Sequence, residues 1–494
     1  MAPVVDERKT LRKMDLHIIP ILSVLYLLCF LDRSNIGNAK IEGLMEDLSL
    51  SSHQYNMCRT YPGKTSEPSS TLETFITDRK WPVTVFFLTY ATFELPSNLV
   101  LRRLRPSIWL PTIMVSVGIV MVRILLPDTL MGIVRNYHGL LIARIFLGVA
   151  EAGLYPGVAF YITMWYCRHE AQLRQAMFFS AASVAGAFSG LLAFAIAKMD
   201  GVGGLEGWRW IFILEGILTT LVSVASYWII SDYPDTAKFL TEQERAWVLD
   251  RLRSQYSSSA GVLEQFQWRA VWDAFSDFQI YMALLAWYGI ACPLYGVAFF
   301  LPTIIRDLGY TSSQAQLLTI PIYVTAAVIA VASAYFSDKM KKRSPFLMFH
   351  LSCIILGFIT VISATGRGVP GVVYFGIFVA VSGIYPAIPS NVTWLSNNLA
   401  GDYKRAAGMA LHIGVGNFAG AMSSNFYRAQ DGPTFYLGHG LNLGLAVQGF
   451  IAALVLKRIY IHINKKRDAV EVSSMSGDEL AKLGDKSPTF RYIL

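Results

Sequence analysis

Charge is scarce in this chain. Lys, Arg, Asp and Glu make up 15% of its 494 residues while hydrophobic residues make up 54%, and the mean hydropathy is +0.43. An ordinary soluble domain carries about 25% charged residues, so an integral membrane protein is expected. Cysteine is also sparse. Of the five, Cys29, Cys292 and Cys353 stand in apolar runs, Cys167 at the end of one and Cys58 in a loop, a scatter that suggests neither a disulfide framework nor a zinc site. No nucleophile with a base, nucleotide-binding loop or metal cluster stands in a convincing context, so no enzyme activity, cofactor or metal is expected. No cleavable leader is expected either. The first apolar run ends in Asp32-Arg33-Ser34-Asn35, without a small-residue cleavage site, and should remain as a span.

Long apolar runs are plentiful. A spanning helix needs about 20 predominantly apolar residues, and twelve such segments begin near Ile18, Pro82, Ile108, Gly139, Ala176, Arg209, Phe278, Ala315, Pro345, Val372, Ala406 and Gly440. Lipid offers no partner to backbone polar groups, which favours helices. The expected fold is an all-α membrane protein of twelve transmembrane helices in two six-helix halves. Residues 1–17 form an N-terminal segment, 18–231 the first half, 232–277 a linker, 278–461 the second half and 462–494 a tail. In the linker, Thr241-Glu242-Gln243-Glu244 has the pattern of a capping box opening a charged helix.

The net charge of +8 would suit nucleic acid, but the basic residues fall in the wrong places. Arg8, Lys9, Arg12 and Lys13, then Arg102, Arg103 and Arg105, Arg168 and Arg174, Lys339 to Arg343, Lys404 and Arg405, and Lys457 to Arg467 all flank spans on one side of a twelve-span topology. The positive-inside rule makes that side, and both termini, cytoplasmic. The partner is the bilayer, not nucleic acid; a monomer in the plasma membrane is expected. Residues 57–80, polar and Ser/Thr-rich, interrupt an otherwise short outer loop. They read as a disordered insertion or as a translated intron whose removal would join Asn56 to Trp81.

Against this apolar background the buried charges stand out. In Gly139–Gly157 (GLLIARIFLGVAEAGLYPG), Arg144, Gly148 and Glu151 share one helix stripe, with the charged groups about 10 Å apart. A charge at the bilayer centre costs about 2.5–3.5 kcal/mol and usually faces a bundle interior or cavity; the bland alternative is an ion pair that only locks helices. Asp32 and Arg33 end the first span, where snorkelling is the alternative. Glu94 in the second span either lines a route or pairs with the basic loop after it, and Glu215 lies in the sixth.

A repeat follows. Gly153-Leu154-Tyr155-Pro156 recurs as Gly383-Ile384-Tyr385-Pro386 at a shift of 383 − 153 = 230, which also takes Arg174 to Lys404, Gly186 to Gly416 and Gly190 to Gly420. Two halves related by an axis along the membrane normal place a substrate site between them near the midplane. Arg144 and Glu151 map to Tyr374 and Val381, so coupling charges belong to the first half. Tyr288, Tyr295, Tyr323, Asn391, Trp394 and His412 are candidate ligand contacts from the second, with lipid belt or core packing as the alternative.

FLDRSNIGNA, ELPSNLVLR, RIFLGVAEAGLYPG, WRWIFILEG, SDKMKKRSP and GIYPAIPSN together resemble the fungal anion:cation symporters of the major facilitator superfamily, the group of allantoate, nicotinate, pantothenate and biotin permeases. The likeness runs from about Leu16 to Arg467. It implies alternating access and proton-coupled uptake of small organic anions. Carried over residue by residue, it makes Asp32 and Glu151 proton carriers, Arg33 a contact for the substrate carboxylate, Arg144 a partner tuning Glu151, and Asp338 and Arg343 the cytoplasmic gating motif. LRRLRPS, after the second span, lacks the Gly and Asp of that motif. An exporter of an organic acid or toxic metabolite is the alternative, and a non-transporting nutrient sensor a further one.

Overall fold

The computed structural model describes residues 5–41, 44–47, 82–122, 137–255, 268–310, 312–423, 425–427, 431–432, 434–469 and 483–494. The insertion at 57–80 lies outside the described residues. Among the described residues the fold is all-helical, with twelve spans in two halves. Nine described helices are long and apolar enough to cross a membrane, and Pro106–Val122 is a shorter apolar one.

In chain order the first half is Glu7–Ile41, Pro82–Arg103, Pro106–Val122, a fourth span in two pieces (Tyr137–Glu151 and Leu154–Trp165), Ala171–Ala197 and Gly207–Ile229. The second half is Phe278–Asp307, Ser312–Met340, Ser344–Ala364, Pro370–Asn398, an eleventh span in two pieces (Asp402–Gly416 and Phe418–Ser423), and Tyr436–Asp468. The first span begins at Glu7, well before the apolar run. Its basic opening continues the helix past the membrane because nothing there breaks it.

The halves meet along two seams, the fifth span against the eighth and the second against the eleventh. The 230-residue shift turns one seam into the other, as a two-fold along the membrane normal requires. The shift also relates the basic members of two ion pairs. Arg174 of the fifth span binds Asp15 of the first at 2.8 Å, and its counterpart Lys404 of the eleventh binds Asp277, which caps the seventh, at 2.7 Å.

The repeated motif itself folds differently in the two halves. Gly153 adopts a left-handed φ of 91° and splits the fourth span, where a Cβ would lie 2.0 Å from Ser97 Oγ. Gly383 sits in an unbroken helix, Pro370–Asn398, where the missing side chain admits the His350 carbonyl, 2.5 Å from an added Cβ.

In the linker, the Thr241 N–H donates to Glu244 Oε2 at 2.8 Å and the Glu244 N–H to Thr241 Oγ1 at 3.3 Å, closing the capping box on helix Glu242–Gln255. Lys13 of the first helix also donates to Glu244 at 2.8 Å. That bond, with the Thr241 N–H, holds the Glu244 carboxyl below its ordinary value. The cap contributes about 1 kcal/mol, so Thr241→Ala should speed hydrogen exchange of residues 242–255 about fivefold; mass spectrometry of the exchanged peptides checks it.

Candidate functional site

A chain of buried polar groups crosses from one half to the other and back. Glu151, 1% exposed, closes the upper piece of the fourth span. Its Oε1 accepts from Arg33 Nη2 at 2.5 Å, from Arg33 Nε at 3.0 Å and from Cys29 Sγ at 2.7 Å. Cys29 and Arg33 are one helical turn apart, so both reach the same oxygen. Arg33 Nη1 donates to the Tyr295 hydroxyl of the seventh span at 3.2 Å. Tyr295 donates to Asn417 Oδ1 at 2.8 Å, and Asn417 Nδ2 to Glu94 Oε2 of the second span at 3.3 Å.

Aromatic rings wall this chain. The guanidinium of Arg33 lies 5.5 Å from the Phe86 ring centroid and 5.1 Å from that of Tyr90, and Phe87 meets Tyr295 edge-on at 5.2 Å. A guanidinium between π-faces is shielded from water while keeping its donor edge free for a carboxylate.

A second acidic pair lies behind it within the first half. Thr219 of the sixth span donates to Asp32 at 3.0 Å, and Asn35 donates to Glu215 at 2.6 Å. Glu151 Oε2, Asp32 Oδ1, Glu94 Oε1 and Glu215 Oε1 are each buried with no hydrogen-bond partner among the described residues. A buried acceptor left so is costly, and a proton or a polar ligand relieves it.

Where the loops are basic, the halves are latched together. Arg343 Nη1 lies 2.5 Å from Asp338 Oδ1. Arg343 also reaches the first half, donating to Gln172 Oε1 at 2.9 Å and to the Arg168 carbonyl at 2.8 Å. Asp338 Oδ2 accepts from the Leu173 N–H at 2.8 Å, which caps the start of the fifth span. Gln172 Nε2 donates to Ser390 at 2.8 Å, and Arg168 and Asn397 exchange bonds through their backbone carbonyls.

The residues singled out from sequence therefore separate. Arg33, Glu151, Tyr295 and Glu94 come together in one network, Asp32 lies one position from Arg33, and Asp338 with Arg343 forms the latch. The guanidinium on Glu151 is that of Arg33, which replaces Arg144 in the pairing expected; Arg144 is buried about two turns higher on the same helix. The other expected ligand contacts are committed elsewhere. Tyr288 donates to the Val415 carbonyl at 2.8 Å. Asn391 and His412 both bond the Ala283 carbonyl at 3.2 Å. Trp394 donates to the Ile493 carbonyl at 2.8 Å. Tyr323 packs on Gly186, 3.3 Å from an added Cβ. The sequence reading missed Cys29, Asn35, Thr219 and Asn417. The cue for Asn417 was a lone amide in the small-residue run GVGNFAGAM; for Cys29 it was the four-residue spacing to Arg33.

Two interlocking helical halves, buried charge between them and a latch at one end define a membrane transporter. The profile of the Major Facilitator Superfamily matches residues 22–424, and the chain belongs to that family. It is 35% identical to the MFS-type transporter cnsO of Penicillium expansum, over 99% of this chain and 91% of that one. It is 31% identical to the high-affinity nicotinic acid transporter of Saccharomyces cerevisiae, over 99% and 85%. Among solved structures, the proton:xylose symporter XylE superposes with a TM-score of 0.62 at 16% identity, covering 89% of this chain and 95% of that one. The human organic anion transporter MFSD10 does so with 0.61 at 12%, covering 89% and 99%. At those identities the likeness is one of fold.

Proposed function

We propose that this protein is a proton-coupled importer of a small organic anion, of the fungal anion:cation symporter kind, with its basic face and both termini in the cytoplasm of a plasma-membrane monomer. The observation that carries the proposal is the Arg33–Glu151 pair, at 2.5 Å and buried, joined through Tyr295 to the opposite half. Burial opposes the charged form of a carboxyl and an adjacent guanidinium favours it. A substrate carboxylate entering from outside takes the two-pronged edge of Arg33, and Glu151, deprived of its counter-charge, takes a proton. The anion and the proton then travel as a neutral pair. Opening the Asp338–Arg343 latch releases both inward, after which Glu151 returns to Arg33. Asp32, bonded to Thr219, is the second proton carrier, and Glu94 with Asn417 reports the state of the pair to the second–eleventh seam. Nicotinate is the leading substrate, supported by the relative that carries that name; an allantoate-like ureide is the next.

The test is uptake of labelled nicotinate, allantoate and other carboxylates by a permease-deficient fungal host at external pH 5 and pH 7, with and without a protonophore. Faster uptake at pH 5 that the protonophore abolishes is expected. Net efflux down the same gradient would make the protein an exporter, and no flux of any carboxylate would favour a sensor.

A further inference from the structure

Residues 483–494 fold back onto the basic face of the second half, and their contacts are too many and too buried for a trailing tail. Asp485, 3% exposed, accepts from Lys404 at 2.7 Å and Gln279 at 2.9 Å. Tyr492 stacks on Tyr460 with centroids 4.5 Å apart. Its backbone exchanges two bonds of 2.9 Å with the Asn464 amide. Ile493 pairs likewise with Asn398, at 2.8 and 3.1 Å, and accepts from Trp394 at 2.8 Å. Arg467 donates to the carbonyls of Asp485 and Phe490 at 2.6 and 2.8 Å. Asn398, Trp394 and Asn464 thus read a main chain much as a sheet edge does, giving affinity with little demand on side chains.

Two contacts reach the gate. The Leu494 carbonyl accepts from the Arg343 N–H at 2.6 Å, fixing the residue whose guanidinium closes the latch. The Phe490 ring lies under the guanidinium of Arg168, 4.7 Å away, and Arg168 belongs to the first half. We propose that the cytoplasmic end of the second half is a peptide-docking surface, that segment 483–494 is its occupant, and that the docked segment acts as an intrachain brake on opening toward the cytoplasm. The brake rests on the alternating-access reading above. Its logic is thermodynamic: a contact made only in the closed state biases the equilibrium by its own free energy. Phe490–Arg168 crosses the halves and is lost on opening, whereas the contacts to Lys404, Trp394, Asn398 and Asn464 stay within one half and serve to hold Phe490 and Leu494 in place.

The experiment uses the full chain in membrane vesicles, with a reporter introduced by Thr393→Cys, buried in the tenth span one turn from Ser390, and labelled by maleimide from the cytoplasmic side; signal from the chain without the reporter is subtracted. Phe490→Ala should raise the labelling rate about two- to fivefold, the shift that one partly exposed cation–π contact supports, while Phe490→Tyr should leave it unchanged. Asp485→Asn combined with Tyr492→Ala, which frees the segment with the Phe490 side chain kept, should match or exceed Phe490→Ala. Phe490 is half-buried, so Phe490→Tyr, which keeps the packing ring, controls for any loss of folding in Phe490→Ala. Labelling unchanged or slowed in both Phe490→Ala and the Asp485→Asn/Tyr492→Ala double variant overturns the brake. A reporter that never responds to substrate or pH in the parent chain, yet speeds up in the variants, overturns the transport reading and leaves the brake standing.

Discussion

Glu151→Gln is expected to leave a protein that exchanges its substrate across the membrane but no longer concentrates it. Glutamine keeps the shape and accepts from Arg33 and Cys29 through one oxygen, so the network that closes the site survives. It cannot release or take a proton near neutral pH, so displacement of Arg33 by the substrate is no longer coupled to the gradient, and Asp32, bonded to Thr219 and not to Arg33, does not take over that step. With one proton per anion, a gradient of two pH units supplies about 2.7 kcal/mol, enough for about hundredfold accumulation. The variant should fall to an internal-to-external ratio of about one while counterflow of preloaded label persists. Accumulation at the parent level would remove Glu151 from the coupling step.

Arg33→Lys should strike binding. Lysine retains the charge, but a single ammonium cannot present the two-pronged edge that now grips Glu151 through Nε and Nη2 while Nη1 holds Tyr295. It also loses the flat contact with Phe86 and Tyr90. Breaking a buried, hydrogen-bonded charge pair costs about 2–5 kcal/mol, so the KM for uptake should rise by at least about thirtyfold. Arg33→Ala should go further and lower thermal stability, because Glu151 would be left as an uncompensated buried charge. Arg33→Ala combined with Glu151→Ala should recover that stability without recovering transport. Uptake kinetics and unfolding in detergent separate the two effects; a KM unchanged in Arg33→Lys would show that the anion binds elsewhere.

The sequence held more of the architecture than of the site. Span length, basic loops and the 230-residue shift are properties of the chain read along itself, and the shift relates the basic members, Arg174 and Lys404, of two ion pairs. The site is a matter of which helix faces which. Helical periodicity puts Arg144 and Glu151 on one stripe, but the partner of Glu151 is chosen by how the first span packs on the fourth, and Arg33 wins because its side chain starts across the interface. Asn391, Trp394 and His412 looked available because a sequence shows polar side chains and not the carbonyls that occupy them, here those of Ala283 and Ile493. Asn417 escaped notice for the opposite reason: it sits in a run of small residues, and its worth comes from ending the helix Asp402–Gly416 where Tyr295 and Glu94 both reach it.

The left-handed turn at Gly153 lies two residues beyond Glu151. In the proposed cycle it is a swivel directly beneath the acid, on which the lower half of that rod would tilt with the latch and the upper half with the anion. Bending there re-aims the carboxyl relative to its guanidinium. The tenth span, straight at the equivalent glycine, has no such joint, so in the proposed cycle the two repeats of this motif would bend unequally, with the acid on the side that carries the turn.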